Sequence, residues 1–96
     1  MPKVLGKSQI TVFESDVQKE PESVVLNTSL GNNYFYKFIA AKSNKERNEY
    51  GSKALKYSTA SVLVHPTQAG YTDKGTAEYK VYGQVQKAEE SFKMAL

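Results

Sequence analysis

The sequence predicts a mainly β fold, a five-stranded antiparallel sheet or OB-like barrel with a short helix between strands three and four and a short C-terminal helix. Three observations carry that prediction. Tyr, Phe, Val, Ile and Thr gather in short runs, as they do in strands. Residues 76–87 alternate strictly, with Ala77, Tyr79, Val81, Gly83 and Val85 on one side and Glu78, Lys80, Tyr82, Gln84 and Gln86 on the other. Gly, Asn and Pro separate the runs at positions where a chain turns.

The first strand is expected over residues 8–14, where Ile10 and Val12 share one face and Thr11 and Phe13 the other. Residues 17–23 hold Pro21 among charges and read as a connection. Val24, Val25 and Leu26 open a second strand that runs to about residue 29. Leu30-Gly31-Asn32-Asn33 reads as a tight turn, because Gly and Asn tolerate positive φ. The third strand, residues 34–41, sends Tyr34, Tyr36 and Phe38 one way and Phe35, Lys37 and Ile39 the other, so both of its faces carry rings. Ser43 and Glu46 match a capping box and predict a two-turn helix that Gly51 would stop near Tyr50. A fourth strand is expected within residues 54–65, closed by Pro66, which cannot donate to a ladder. Residues 67–75 read as an exposed loop, residues 76–87 as the fifth strand with a bulge at Gly83. Residues 88–96 place Ala88, Phe92, Ala95 and Leu96 on one helical stripe.

Ninety-six residues make a single domain, 1–96, with 40% hydrophobic and 24% charged residues, a balance that argues against wholesale disorder. The chain has no cysteine, which excludes disulfides, thiolate metal sites and thiol nucleophiles. Residues 1–7 lack the apolar run of a secretory signal, and no window approaches membrane-spanning length. The expected location is therefore the cytoplasm, or a host's cytoplasm for a viral protein. In that compartment the sequon at Asn27 is a chance match.

Catalysis finds little support in the residues present. His65 is the only histidine and stands beside Pro66 with no acid nearby in sequence to orient it. Glu14 with Asp16, and Glu20 with Glu22, lack the spacing of a calcium loop, and the glycines at 70 and 75 match neither phosphate-cradling pattern. The expectation is a non-enzymatic protein with no cofactor, no metal and no small-molecule substrate.

Charge and aromaticity point to binding instead. The net charge is +3, and between residues 37 and 56 Lys37, Lys42, Lys45, Arg47, Lys53 and Lys56 face only Glu46 and Glu49. Seven tyrosines and four phenylalanines accompany thirteen basic residues. Cations for phosphates and flat rings for bases are the equipment of single-strand binders. The expected nucleic-acid-binding residues are Tyr34, Tyr36, Lys37, Tyr57, Tyr71, Lys74, Lys80 and Tyr82, on a basic, tyrosine-rich sheet face. Single-stranded nucleic acid or another anionic partner is expected, and a homo-oligomer is compatible with the size. Two alternatives fit a short viral or mobile-element protein: a particle subunit that assembles through β-sheet edges, or a small inhibitor that occludes a host protein.

Overall fold

Three hydroxyl side chains fix where helices begin. Ser23, Ser43 and Thr67 are extended N-cap residues whose side chains accept from the backbone N–H three positions on, at Leu26, Glu46 and Gly70. The helices they start are α2 (Val24–Ala40), α3 (Asn44–Val64) and α4 (Gln68–Tyr82). Two more complete the fold, α1 (Lys7–Lys19) before them and α5 (Val85–Ala95) after. This computed structural model describes residues 6–95, except the side chains of Ala69, Val81, Tyr82 and Val85.

The β reading is overturned: the described residues form five helices and contain no strand, so neither a sheet nor an OB-like barrel is present. Residues 8–14 belong to α1, and residues 24–41 lie almost wholly in one helix, α2, which passes straight through the expected turn at Leu30 to Asn33. The N-cap at Ser43 is present, with Ser43 Oγ accepting from the Glu46 N–H at 3.2 Å; the Glu46 carboxylate reaches back to the Ser43 hydroxyl, at 3.1 Å, in place of the backbone N–H of a full capping box. The helix it starts does not stop at Gly51, however, and absorbs the expected fourth strand. The expected loop at 67–75 is the first half of α4. Gly83 is the left-handed C-cap between α4 and α5, at φ 64°, rather than a bulge. The C-terminal helix exists and starts three residues earlier than expected.

The physical reason lies in what the helices bury. In α2 the buried positions are Asn27, Leu30, Gly31, Asn33, Tyr34 and Phe38, and in α3 they are Gly51, Ala54, Tyr57, Ser58, Ser61 and Val62. Their spacing is helical, but more than half of them are small or polar. A hydropathy pattern cannot reveal a face made of Gly, Ser and Asn. Aromatic and β-branched residues then supply a strand-like local signal, which tertiary packing overrides.

Helices α2 and α3 are antiparallel and closely apposed. A Cβ on Gly31 would lie 2.8 Å from Ser58 Oγ and 3.2 Å from the Ser58 backbone nitrogen, so only glycine admits this approach. Thr28 Oγ1 and Ser61 Oγ share a 2.8 Å hydrogen bond across the same seam. Helices α4 and α5 form a second hairpin, joined to the first through α3 and α4, while α1 lies on α2. The core cluster is Ile10, Val17, Leu30, Tyr34, Ala54 and Tyr57. Asn27 is 2% exposed and donates to the carbonyls of Pro21 and Ser23, which leaves the sequon closed to modification in this fold. No described helix is long and apolar enough to cross a membrane.

Candidate functional site: a cation row on an aromatic seam

Helical spacing on α3 places Tyr50, Ala54 and Tyr57 on the side that meets α2, where Tyr34 waits. The three tyrosines stack in a row, Tyr50 to Tyr34 at 6.0 Å and Tyr34 to Tyr57 at 5.9 Å between centroids, the second pair nearly parallel at 11°. Burying phenols requires acceptors, and one carboxylate serves both. Glu14 of α1 accepts from the Tyr34 hydroxyl at 2.7 Å and from the Tyr57 hydroxyl at 3.2 Å. Burial, the hydrogen bond to Glu14 and its negative charge push the Tyr34 phenol above its ordinary range. Burial first, then the Glu14 charge and hydrogen bond, raise Tyr57 to about 12.

The cations of the basic middle are laid along this row. Lys37 stands over Tyr50 at 5.7 Å, Lys53 over Tyr34 at 5.1 Å, Lys56 over Tyr57 at 5.3 Å, and Arg47 over Phe38 at 5.0 Å. Each contact is worth about 0.5–1 kcal/mol where solvent reaches it. Their joint effect is to hold four flexible heads near one seam. Lys53 also bridges Glu14 at 3.8 Å and Glu49 at 3.7 Å, so it offsets both acids that face the row. Shallow grooves flank Glu14, one of about 280 Å³ edged by Lys7 and Lys37 and one of about 360 Å³ edged by Lys53 and Lys56.

The residues expected from sequence are dispersed by this fold. Tyr34 and Tyr57 are core residues, 4% and 6% exposed, so their rings cannot receive bases and instead support lysines. Lys37 is half-buried over Tyr50. Tyr36 is 41% exposed on the opposite side of α2 from Tyr34. Tyr71 and Lys74 line a separate groove of about 490 Å³ between α3, α4 and α5. Lys80 is exposed beside Tyr79, and the Tyr82 side chain lies outside the described residues. No sheet face is present among the described residues, and the seven predicted residues whose side chains are described form no single surface. Sequence reasoning missed Tyr50 as a site residue and Glu14 as the acceptor that anchors Tyr34 and Tyr57. The Tyr50, Lys53, Tyr57 spacing of three and four would have found the row once α3 was read as a helix.

The groove beside Tyr71 has a polar floor. Lys74 Nζ donates to Glu78 at 3.1 Å and to Ser91 Oγ at 3.1 Å, and Ser91 donates to Glu78 at 2.6 Å. A serine beside a lysine invites a nucleophile reading, but that chemistry needs an accessible hydroxyl and a neutral amine. Ser91 is 3% exposed and its proton is committed to Glu78, while Lys74 is ion-paired. The trio pins α5 to α4. Among the described residues no three His, Cys, Asp or Glu side chains converge on a metal position, and His65 is an exposed C-cap.

No protein-family model matches the chain, and comparison with curated proteins and with solved structures finds none similar to it.

Proposed function

We propose that this protein is a non-enzymatic binding module for an anionic partner, single-stranded nucleic acid, gripped through its phosphates by the cation row of α2 and α3. The observation that carries the reading is the placing of Lys37, Lys53 and Lys56 over the three stacked tyrosines, with Arg47 over Phe38 of the same helix pair. Ordered cations lose less side-chain entropy when they meet phosphates. Lys42 and Lys45 extend the positive surface towards the start of α3, where the helix dipole adds to it. The role of the tyrosines in this reading is to position cations, in keeping with the burial of Tyr34 and Tyr57, which are 4% and 6% exposed.

The deciding experiment is a salt titration of binding to labelled single-stranded DNA and RNA, with a duplex in parallel and the particle mass measured alongside. Four phosphate contacts to a single strand give a log–log salt slope of roughly −3, so affinity falls roughly fifty-fold between 50 and 200 mM salt. Binding that ignores salt, or none at all from a folded sample, rejects the proposal. A partner bound more tightly by an oligomer would revive the assembly reading through helix faces, since no described strand offers an edge.

A further inference from the structure

Asp73 is the one described carboxylate whose burial raises its pKa, and among the described residues it makes no ion pair and accepts no hydrogen bond. It lies where α2, α3 and α4 meet, on a small cavity of about 140 Å³ that it lines with Asn32, Phe35, Tyr36, Ser58 and Thr76. None of these residues belongs to the cation row.

Every other polar group on the cavity can offer an oxygen. Thr76 gives its proton to the Thr72 carbonyl at 2.8 Å, which leaves its hydroxyl oxygen able only to accept. Asn32 and Ser58 contribute an amide oxygen and a hydroxyl. The apolar wall is aromatic: Phe35 and Tyr36 meet at 54° with centroids 6.5 Å apart, forming a corner. The described cations that stand over rings use Phe38, Tyr34, Tyr50, Tyr57 and Tyr79, so neither Phe35 nor Tyr36 carries one. Phe35 also stacks on Phe38, at 6.2 Å and 21°, so one side of its ring is already covered. One carboxylate, several oxygens and two aromatic rings around one small cavity all favour a positive charge. The space is too large, and the single carboxylate too few, for a bare divalent ion, which takes six or more oxygens at short range.

We propose that the Asp73 cavity binds a small organic ammonium head group, with the carboxylate as counter-ion and Phe35 and Tyr36 as the cation–π wall. The same head group is available on a free alkylamine and on a methylated lysine side chain.

Calorimetric and NMR titration of the intact chain with choline, with trimethyllysine as the free amino acid, and with a short peptide carrying trimethyllysine tests the assignment. Choline is expected to saturate, shifting the amides of Asn32, Tyr36 and Asp73, and its neutral carbon isostere dimethylbutanol to bind at least about tenfold more weakly, the worth of one modest ion pair. Asp73→Asn should weaken choline by a similar factor while leaving the unfolding temperature equal or higher, because it removes an uncompensated charge. Tyr36→Ala, at an exposed position, is expected to weaken choline severalfold with the fold intact, and unchanged affinity there likewise overturns the proposal. Tighter binding of the peptide than of the free amino acid assigns the site to a protein-borne lysine, and equal binding assigns it to a free amine. Absence of saturation, equal binding of the neutral isostere, unchanged affinity in Asp73→Asn, or calcium binding more tightly than choline overturns the proposal.

Discussion

The Tyr34 hydroxyl donates a 2.7 Å hydrogen bond to Glu14, twenty positions earlier, and through it α1 is fastened to the seam between α2 and α3. The same carboxylate accepts from Tyr57. Glu14→Ala leaves two buried phenols without an acceptor and is expected to cost about 2 kcal/mol in urea unfolding. Tyr57→Phe, which removes only the longer bond, should cost about 1 kcal/mol or less. Equal stability of wild type and Glu14→Ala would show that solvent satisfies the phenols.

The raised tyrosines make the fold sensitive to alkali. A phenol whose folded pKa lies above its unfolded value near 10 binds its proton more tightly in the folded state, so its stabilising contribution is complete below pH 10. The contribution drains as pH climbs from 10 towards 12 and the phenols ionise. Unfolding free energy should therefore fall across that window, and phenolate absorbance should rise late for Tyr34 and Tyr57. Tyr57→Phe should flatten the fall.

Glu78 is almost fully enclosed, with its side chain 4% exposed and Lys74 3.1 Å away. Lys74→Met strands that charge and is expected to cost about 3 kcal/mol or more, while the Lys74→Met, Glu78→Met pair should recover most of the loss. A thermal-unfolding double-mutant cycle measures the coupling. Additive losses would mean that the ion pair is solvent-screened.

Gly31 decides how closely α2 and α3 meet. Alanine there gains about 1 kcal/mol of helix propensity yet pushes against the Ser58 backbone, so the net expectation is a loss of about 1 kcal/mol, and valine should lose more. Stabilisation by Gly31→Ala in denaturant melts would mean that the helices separate at little cost.

For the proposed nucleic-acid role, Lys53→Gln and Lys56→Gln should each reduce the salt slope by about 0.7 and weaken all sequences alike. Tyr34→Phe should leave affinity unchanged if the folded fraction is held equal. A large loss with Tyr34→Phe would instead mean that the phenol touches the ligand.

How far the sequence reached differs from element to element. The Ser43 cap, the C-terminal helix and the excess of cations between residues 37 and 56 were legible because each depends on neighbours in the chain. The run from Tyr34 to Phe38 was not. Its alternation of rings reads as a strand with two apolar faces, yet in α2 it puts Tyr34 and Phe38 into the core, leaves Phe35 half-buried and turns Tyr36 outward. Likewise the clean alternation after Thr76 conceals a face built from Ala77 and the buried Glu78.

Sequence alone determined the composition of this protein's surface chemistry: a cationic middle, abundant tyrosine, no thiol and a single histidine. Tertiary structure decided which rings are reachable and which merely carry lysines, because it brings together Glu14, Tyr34 and Tyr57 from three helices, at separations of up to 43 residues. It also decided the secondary structure. Small and polar residues such as Gly31, Ser58 and Ser61 commit to helix through contacts with another helix, and no window of the chain by itself contains those contacts.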